Sequence, residues 1–582
     1  MLDPQTPKRF SIVLIKPSHY DDDGYVIQWL RSAIPSNTLA VLNGLAQDCK
    51  ERRVLGDNVA IEISSMDETN TRVQPERVAR EIRRGSGRGL VALVGVQSNQ
   101  FPRAMDLARR FRKAGVDVCI GGFHVSGVIA MLPELTPELK EAMDLGISLF
   151  AGEAEGRFEQ VLRDAWNGAL QPLYNYMNDL PSIDGAVVPI LPAVQIQRTG
   201  GAITSFDAGR GCPFLCSFCT IMNVQGRKSR RRSADDVEKI VRQNAAQGVK
   251  RFFITDDNFA RNTDWEKIFD RLIELRDRDK LDVRFVIQVD TMCHRLPGFI
   301  QKAAKAGVVR VFIGLESINP ANLAGAKKKQ NKITEYRNML LQWKLAGVTV
   351  IAGYILGFPN DTRESILRDV RIIQRELPID LLQITSMTPL PGSEDHQKMH
   401  LAGVAMDPDL NNYDVEHFTT EHPLMSKEEW QRAYQDAWRA FYSPEHFVTV
   451  MRRAAATDSG PGKVLTQLIW SYCSIVLEKV HPYQGGYFRR MYRRDRRPHL
   501  PLENPFVFYP RYWAGIVYKH YKALQLIWRY RPIAKKLRRD PAARDYMDLA
   551  LTPVAEEHME SFELLASTIP AKAPAVLVNI RP

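Results

Sequence analysis

Short apolar runs alternate with amphipathic segments of helical spacing over the first 168 residues. Runs of strand length lie at 10–18, 59–67, 89–99 and 116–124, and segments of helical spacing lie at 37–52, 75–85 and 101–115. Nearly continuous apolar strands separated by amphipathic helices are typical of a parallel sheet covered on both faces. We therefore predict an α/β, doubly wound, Rossmann-like domain over residues 1–168, with its ligand at the carboxyl ends of the strands.

Residues 169–199 are rich in Pro and turn formers and predict a linker. A second series of strands and helices follows over residues 200–400. Its six strands are predicted at 202–210, 251–257, 283–290, 309–317, 348–357 and 381–389, and Ser233 is the expected N-cap of the first helix. Six such units predict a partial (β/α)6 barrel, whose chemistry collects at the C-terminal ends of the strands.

Residues 401–582 predict a mainly helical C-terminal region with a basic, aromatic segment at 487–539. Arginines cluster between Arg489 and Arg497, and Trp, Tyr and Ile are interleaved with bases in the residues that follow. This pattern suits a solvated helical face, a helix at an anionic membrane surface, or, less well, contact with nucleic acid, which we do not expect. The sequence has no apolar run of the roughly 18 residues that a spanning helix needs.

The composition of 45% hydrophobic and 25% charged residues is that of a folded globular protein, and the formal net charge is +12. The N-terminus does not resemble a signal peptide. The seven cysteines are odd in number and sparse, which argues against a secreted disulfide framework. We expect a cytoplasmic protein, with peripheral contact at the inner face of the membrane as a further hypothesis.

Three of the seven cysteines, Cys212, Cys216 and Cys219, lie within eight positions directly after the first predicted barrel strand. The loop contains Gly and Pro and can bend so that three thiolates converge on one metal centre. Zinc takes four protein ligands or three with an open position, and iron–sulfur cubanes take four thiolates. Three cysteines therefore predict a centre with one metal left open, with a zinc site that borrows a histidine as the alternative.

This C-x-x-x-C-x-x-C spacing, with Phe218 before the third cysteine, resembles the radical SAM superfamily. The resemblance implies a [4Fe–4S] cluster whose open iron binds S-adenosylmethionine (SAM), and electron transfer that cleaves SAM to methionine and a 5′-deoxyadenosyl radical. The later strands match the family's pattern as well, in "TDDNF", "GLES", "AGYILGFPNDT" and "TPLPGS". One departure is that Asp256 and Asp257 replace the commoner Gly-Gly-Glu. The SAM-binding residues that the resemblance implies are Phe218, Asp256, Asp257, Gln288, Asp290, Glu316, Ser317, Gly353 and Gly357.

A doubly wound domain ahead of such a barrel resembles the cobalamin-binding class of radical SAM enzymes. The residues implied for cobalamin are Gln97, Ser98, Asn99, Gly121, Gly122, His124, Gly152 and Glu153. The first-strand loop lacks the D-x-H-x-x-G motif of domains that coordinate cobalt through histidine. We therefore predict that His124 is a hydrogen-bonding or capping group and that cobalamin binds without a histidine ligand.

The resemblance implies a cobalamin-dependent C-methyltransferase that acts on an unactivated carbon of a hydrophobic or lipid-like substrate. The implied electron donor is a protein such as flavodoxin or ferredoxin. An oxidative cyclase similar to the anaerobic Mg-protoporphyrin monomethyl ester cyclase has the same two-domain frame and remains an alternative. Methylthiolation of tRNA is disfavoured because only Cys49 and Cys119 lie in the N-terminal domain. A non-enzymatic cobalamin sensor with a structural cluster is the last alternative, and no catalytic side chain is assigned.

Overall fold

The computed structural model of the chain describes residues 8–85, 88–553 and 562–566. The strands of its first part are β1 (Lys8–Lys16), β2 (Gln28–Ser32), β3 (Val59–Asp67), β4 (Gly89–Leu93), β5 (Asp117–Gly121), β6 (Ser148–Ala151) and β7 (Leu173–Asn175). The helices are α1 (Asn37–Glu51), α2 (Pro75–Gly85), α3 (Phe101–Lys113), α4 (Phe123–Met131), α5 (Pro137–Asp144), α6 (Phe158–Asn167) and α7 (Ala193–Gln197).

Six of these strands form one parallel sheet in the order β3-β1-β4-β5-β6-β7. Alternate side chains of β1 enter two separate apolar cores, with Ile12 and Leu14 on one side and Val13 and Ile15 on the other. Helices α1 and α6 cover the first face, and α2, α3 and α5 cover the second. The predicted doubly wound sheet is confirmed, and its strand order reverses at β1 and β4, where such sheets bind ligands.

The Pro-rich segment 169–199 is more structured than a linker. It contains β7, which adds a sixth strand to the edge of the first sheet, and the short helix α7. Val188 and Leu191 are buried in the core beside α1, and a Cβ on Gly44 would lie 2.3 Å from the Val188 carbonyl oxygen. The segment still connects the two sheets as predicted for a linker, but its Pro and turn residues separate short elements that pack against the core.

The second part builds another parallel sheet. Its strands are β8 (Ile203–Phe206), β9 (Gly209–Arg210), β10 (Arg230–Arg231), β11 (Arg251–Ile254), β12 (Arg284–Val289), β13 (Val308–Glu316), β14 (Thr349–Leu356) and β15 (Leu381–Ser386). Its helices are α8 (Ile221–Val224), α9 (Ala234–Ala246), α10 (Trp265–Asp277), α11 (Phe299–Ala306), α12 (Pro320–Gly325), α13 (Ile333–Leu345), α14 (Arg363–Glu376) and α15 (Glu394–Leu401). Ser233 caps α9 as predicted and accepts a hydrogen bond from the Asp236 amide.

The strand order of this sheet is β15-β14-β13-β12-β11-β8, and in the described residues β8 and β15 do not pair. The predicted partial barrel is therefore confirmed. Most of the strands are shorter than predicted, and the first of them ends at Phe206, where the run 202–210 breaks. Gly209 and Arg210 pair instead with Arg231 and Arg230 in a separate antiparallel ribbon, which directly precedes the cysteine loop.

The C-terminal region consists of α16 (Lys427–Phe441), α17 (Pro444–Ala456), α18 (Pro461–Tyr472), β16 (Gly486–Arg490), α19 (Pro505–Arg539) and α20 (Glu563–Ala566). It is mainly helical as predicted, and residues 567–582 lie outside the described part of the chain. Strand β16 returns to the first part and pairs with β2 in antiparallel register.

The arginines from Arg489 to Arg497 do not form a solvated helical face. Arg489 is buried in β16, where it donates to Asp21 at 2.8 Å and its guanidinium lies 5.1 Å from the Trp29 ring centroid. Arg497 donates to Asp409 at 2.8 Å. This part of the basic segment holds the C-terminal region onto the rest of the molecule, and the helical reading of it was wrong. Among the described residues, no helix is long and apolar enough to cross a membrane.

Candidate functional site

The three cysteines lie on the loop that follows β9. Gly211 precedes Cys212 with φ +92°, and a Cβ there would meet the Lys228 carbonyl oxygen at 2.7 Å, so the turn requires glycine. The Cys212 amide donates to the Gly226 carbonyl at 3.2 Å, and the Cys219 amide donates to the Cys216 carbonyl at 3.1 Å. These backbone bonds fix the fold of the loop that carries the three thiols.

The thiol environment suits a group that binds thiolates. Burial raises the pKa of Cys212 to about 11 and that of Cys219 to about 12, and each thiol lies close enough to the others to add to the increase. A bound metal removes such protons outright. Cys216 is buried, and its sulfur accepts a hydrogen bond from Gln330 Nε2 at 3.3 Å. Among the described residues no three metal-binding side chains are already gathered around one point, so the fit to a metal centre rests on the chemistry of the donors. Three free thiols on one loop and a hydrogen-bond donor to one of the sulfurs are the donor set of an iron–sulfur cluster with one open iron.

Two residues beside the cysteines were missed by the sequence reasoning. Lys328 is buried, pairs with Glu316 and places its ammonium 5.6 Å from the Phe218 ring centroid. Gln330 is the hydrogen-bond donor to Cys216. Both come from the loop between α12 and α13, which carries no recognisable motif, so only the tertiary structure brings them to the site.

The neighbouring carboxylates Asp256 and Asp257 differ in their surroundings. Asp256 is buried and accepts hydrogen bonds from the Ala208 amide at 2.7 Å and from Asn262 at 3.3 Å, so it fixes the end of β8. Asp257 accepts a bond from the Gly211 amide at 3.3 Å and lies near Cys212 and Cys219. Burial raises the pKa of each carboxyl to about 7. Asp257 is therefore the one placed next to the cysteine loop.

The carbonyl of Asp256 accepts a hydrogen bond from Gln288 at 3.3 Å, which links the ends of β11 and β12. The Asp290 carboxylate is already engaged by Arg261 at 2.8 Å and by Asn258 at 2.9 Å. Its position in the fold is as predicted, but protein groups occupy its oxygens.

Glu316 ends β13 with φ +63°, an uncommon conformation for a residue other than glycine. The Ser317 hydroxyl oxygen is buried and accepts a bond from the Asn319 amide at 3.0 Å. In β14, a Cβ on Gly353 would lie 2.8 Å from the Phe312 ring. A Cβ on Gly357 would lie 2.1 Å from the Trp430 ring, so this glycine packs against α16.

At the first sheet, the loop after β4 contains exposed Gln97 and buried Ser98 and Asn99. His124 is fully buried, with Nδ1 3.1 Å from the Ser98 hydroxyl and Nε2 3.2 Å from a Glu138 carboxylate oxygen. Nδ1 thus has a hydrogen-bond partner, whereas Nε2 lies beside the carboxylate without making a hydrogen bond within the described residues. The bond at Nδ1 supports the predicted hydrogen-bonding role of this histidine.

Gly121 ends β5, and a Cβ on Gly122 would lie 2.2 Å from the Val96 amide nitrogen, so these glycines permit close packing of two loops. Gly152 has φ +104°, and its amide donates to the Ser126 hydroxyl at 3.1 Å. Glu153 accepts from Arg210 at 2.6 Å and also pairs with Arg230. Glu153 is therefore engaged in a contact between the two sheets.

Arg210 was also missed by the sequence reasoning. It is buried and donates to Glu153 and Glu155, each at 2.6 Å, and to Asp207 at 2.9 Å. Arg210 lies two residues before Cys212, so this network joins the loop after β6 of the first sheet to the cysteine loop.

Residues 208–373 match the Radical SAM superfamily. Bacteriochlorophyllide d C-8(2)-methyltransferase of Chlorobaculum tepidum is 25% identical over 392 residues, which cover 62% of this chain and 83% of that protein. Hopanoid C-2 methylase of Rhodopseudomonas palustris is 23% identical over 293 residues, 49% of this chain and 53% of that protein. A structure of the radical SAM methyltransferase TsrM from Kitasatospora setae, with cobalamin and a [4Fe–4S] cluster bound, superposes with a TM-score of 0.56 at 14% identity and covers 79% of this chain and 98% of that chain.

The matched residues contain the cysteine loop and the ends of β11 to β14, so this part of the chain is a radical SAM domain. Such a domain implies a [4Fe–4S] cluster and SAM. The likeness to TsrM, which extends over 79% of this chain, shows that the two proteins have the same overall fold.

Proposed function

We propose that the protein is a cobalamin-dependent radical SAM enzyme that transfers a methyl group to an unactivated carbon of a hydrophobic substrate. The observation that carries the proposal is the contact between the cysteine loop and the carboxyl end of the first sheet through Arg210, Glu153 and Glu155. Methyl transfer from one bound cofactor to a substrate activated by another requires adjacent sites, and this contact makes the two loops neighbours. The methyltransferase names of the relatives support the reaction class.

We assign Cys212, Cys216 and Cys219 as the cluster ligands. SAM would lie along the ends of β11 to β14, against Asp257, Glu316 and Ser317. Of the other predicted SAM residues, Gln288 lies near the end of β12, Phe218 lies on the cysteine loop and Gly353 lies within β14. Asp256, Asp290 and Gly357 contact protein groups, so we propose a supporting role for them. We propose that residues 1–168 form the cobalamin-binding domain and that residues 200–400 form the domain that binds the cluster and SAM. Residues 401–582 are proposed to form a third, mainly helical domain.

When bound, the cluster and SAM supply a radical that removes hydrogen from carbon, and cobalamin supplies the methyl group. The chain itself has to orient these groups and exclude water. Asp256 and Ser317 are each 2% exposed or less, so these two polar side chains at the strand ends are shielded from water. The Asp257 carboxyl, whose pKa burial raises to about 7, can accept a hydrogen bond from an amine placed beside the cysteines.

Cobalamin is proposed to lie on the loops after β4, β5 and β6, near Gln97, Ser98 and Asn99, with Gly121, Gly122 and Gly152 allowing close approach. His124 would not coordinate cobalt, because Ser98 and Glu138 already engage its ring. Electron paramagnetic resonance of the cob(II)alamin state should show no nitrogen coupling from a protein histidine. Such coupling would contradict the assignment.

Incubation of the reconstituted protein with methyl-labelled SAM and candidate hydrophobic substrates tests the reaction. Label in the product together with 5′-deoxyadenosine supports methyl transfer. Deoxyadenosine with product but no label would instead favour the oxidative cyclase. The Cys216→Ala variant is the control, since it removes one proposed cluster ligand and should give neither product. A small one-electron carrier such as flavodoxin or ferredoxin is the proposed reductant in the cell.

We also propose that the protein contacts an anionic membrane surface through α19. Six side chains spaced by three, four or seven residues are 45% to 87% exposed, which places a single apolar stripe on the solvent side of the helix: Phe506, Tyr509, Trp513, Val517, Leu524 and Trp528. The helix has no acidic residue, and its bases are Arg511, Lys519, Lys522, Arg529, Arg531, Lys535, Lys536, Arg538 and Arg539. Among the described residues, ion pairs involve only Arg511 and Lys519 of these bases.

An aromatic stripe beside unpaired bases is the pattern of a helix that lies in the interface of an anionic bilayer. Co-sedimentation with vesicles of phosphatidylglycerol and phosphatidylcholine tests this at low and high salt. The double variant Trp513→Ser, Trp528→Ser should bind at least about a hundredfold more weakly, since burial of each aromatic contributes about 1.5–3 kcal/mol and about 1.4 kcal/mol is tenfold in affinity. Leu345→Ser, at an exposed apolar position on α13, is the matched control. Equal sedimentation of both variants would exclude the helix as the contact.

A further inference from the structure

Residues 327–330, with the sequence Lys-Lys-Lys-Gln, lie against the cysteine loop. The amide of Ser217, between two of the cysteines, donates to the Ala326 carbonyl at 3.1 Å and joins the two segments. Lys327 and Lys329 are exposed, whereas Lys328 and Gln330 are buried. The buried pair therefore faces the cysteine loop, although its neighbours in the sequence face solvent.

A buried ammonium is costly unless charges of opposite sign surround it. Lys328 meets this condition, because it pairs with the Glu316 carboxylate. Its ammonium also lies 5.6 Å from the ring centroid of Phe218, the residue directly before Cys219. The geometry therefore places a positive charge beside the cysteine loop.

Gln330 acts on the same cysteine from another direction. Its Nε2 donates to Cys216 Sγ at 3.3 Å, and its backbone carbonyl accepts a bond from the Thr291 hydroxyl at 3.3 Å. The residue is 7% exposed, so the hydrogen bond to sulfur lies in a region of low dielectric. There, a donor to sulfur interacts more strongly than it would in water.

We propose that Lys328 and Gln330 are positioning residues that raise the reduction potential of the cluster held by Cys212, Cys216 and Cys219. The inference rests on the cluster assignment of the proposed function. Reduction adds one negative charge to the centre, and both a nearby cation and an N–H donor to sulfur stabilise the added charge. Loss of Lys328 would also leave the Glu316 charge unpaired beside the centre, which disfavours reduction further.

The test is a redox titration of the reconstituted full-length protein, followed by the electron paramagnetic resonance of the reduced cluster. At a fixed potential, Lys328→Met and Gln330→Leu should each lower the ratio of reduced to oxidised cluster by about tenfold, which is about 59 mV for a one-electron couple. Lys328→Arg keeps the charge and should titrate close to the wild type. Lys329→Met removes an exposed lysine next to Lys328 and is the matched control.

Wild-type midpoints in both Lys328→Met and Gln330→Leu would overturn the inference and leave the cluster assignment intact. A wild-type protein that takes up no iron would overturn the cluster assignment as well. Gln330→Leu removes only a hydrogen bond, so it decides the question on its own if Lys328→Met does not retain iron.

Discussion

Gly357 illustrates how one residue shapes the end of a barrel strand. Its φ of +92° is a conformation that other residues rarely adopt, and a Cβ would lie 2.1 Å from the Trp430 ring. Gly357→Ala should lower the free energy of unfolding by about 2–5 kcal/mol, through backbone strain of about 1–2 kcal/mol and overpacking of about 1–3 kcal/mol. Urea denaturation measures this loss.

Gly325→Ala is the control for Gly357→Ala, because a Cβ at Gly325 meets nothing within 4 Å. Its denaturation midpoint should stay near that of the wild type. If the two variants unfold at the same urea concentration, close packing on Trp430 is not what requires glycine at position 357.

Asp369 gives the fold a pH dependence that can be assigned to one carboxyl. Burial, with the nearby Asp361 charge, raises its pKa to about 7. Between about pH 4 and pH 7 the folded state therefore holds a proton that the unfolded state has lost, and stability falls as the pH rises, by up to about 1.4 kcal/mol per unit. The difference in the free energy of unfolding between Asp369→Asn and the wild type should therefore shift in favour of the variant by about 2 kcal/mol between pH 5 and pH 7.

Unfolding free energies at both pH values measure that gain, with Asp277→Asn, an exposed substitution on α10, as the control. A difference between Asp369→Asn and the wild type that does not change with pH would mean that this carboxyl titrates in its ordinary range.

At the residue scale, local motifs were predictable and tertiary neighbours were not. The cysteines could be identified because they follow one another on one loop. Lys328 reaches Phe218 and Glu316 from a separate loop, and no spacing in the sequence indicates this. The sequence also did not distinguish Asp256 from Asp257, since the difference lies in which backbone amides each accepts.

Strand β16 shows how an element depends on a distant charge partner. Arg489 in β16 is 3% exposed and donates to Asp21, which is 468 residues away. Because removal of Arg489 leaves the Asp21 carboxylate without its partner, Arg489→Met should lower the free energy of unfolding by about 3–5 kcal/mol. Arg490→Met, on the same strand but outside the described ion pairs, should cost much less. Thermal unfolding compares the two, and equal losses would contradict the role of the Asp21 pair.

Apart from the short β7, the strands of both parallel sheets were predictable because apolar runs of strand length identify them whatever they pack against. Strand β16 was not, since its sequence Gly-Tyr-Phe-Arg-Arg is basic and its burial depends on Asp21 and Trp29. The packing of segment 169–199 was not predicted either. Its buried residues Val188 and Leu191 lie among turn residues and not in an apolar run of strand length. The hydrophobic pattern therefore predicts elements that are buried through their own apolar side chains. It does not predict elements whose burial depends on residues distant in the sequence.

At the scale of the whole molecule, the first sheet and the radical SAM domain are closely joined. A Cβ on Gly127 in α4 would lie 2.4 Å from the Pro391 carbonyl oxygen, after β15. Gln397 of α15 donates to the Met131 carbonyl. Together with the buried network of Arg210, these contacts fix how the cobalamin loops would face the cysteine loop.

This close contact makes the independence of the two proposed cofactor sites a question for experiment. Alanine at Cys212, Cys216 or Cys219 should abolish SAM cleavage, because each thiol is a proposed cluster ligand. Cobalamin binding should persist, because none of the three thiols contributes to the Arg210 network that supports the loop after β6. Absorbance of bound cobalamin and chromatographic assay of 5′-deoxyadenosine measure the two properties, with Cys473→Ala, in the C-terminal region, as the control that should keep both. Loss of both properties in the three variants would mean that the cysteine loop itself forms part of the cobalamin site, and that the division into domains at residues 169–199 separates one functional unit.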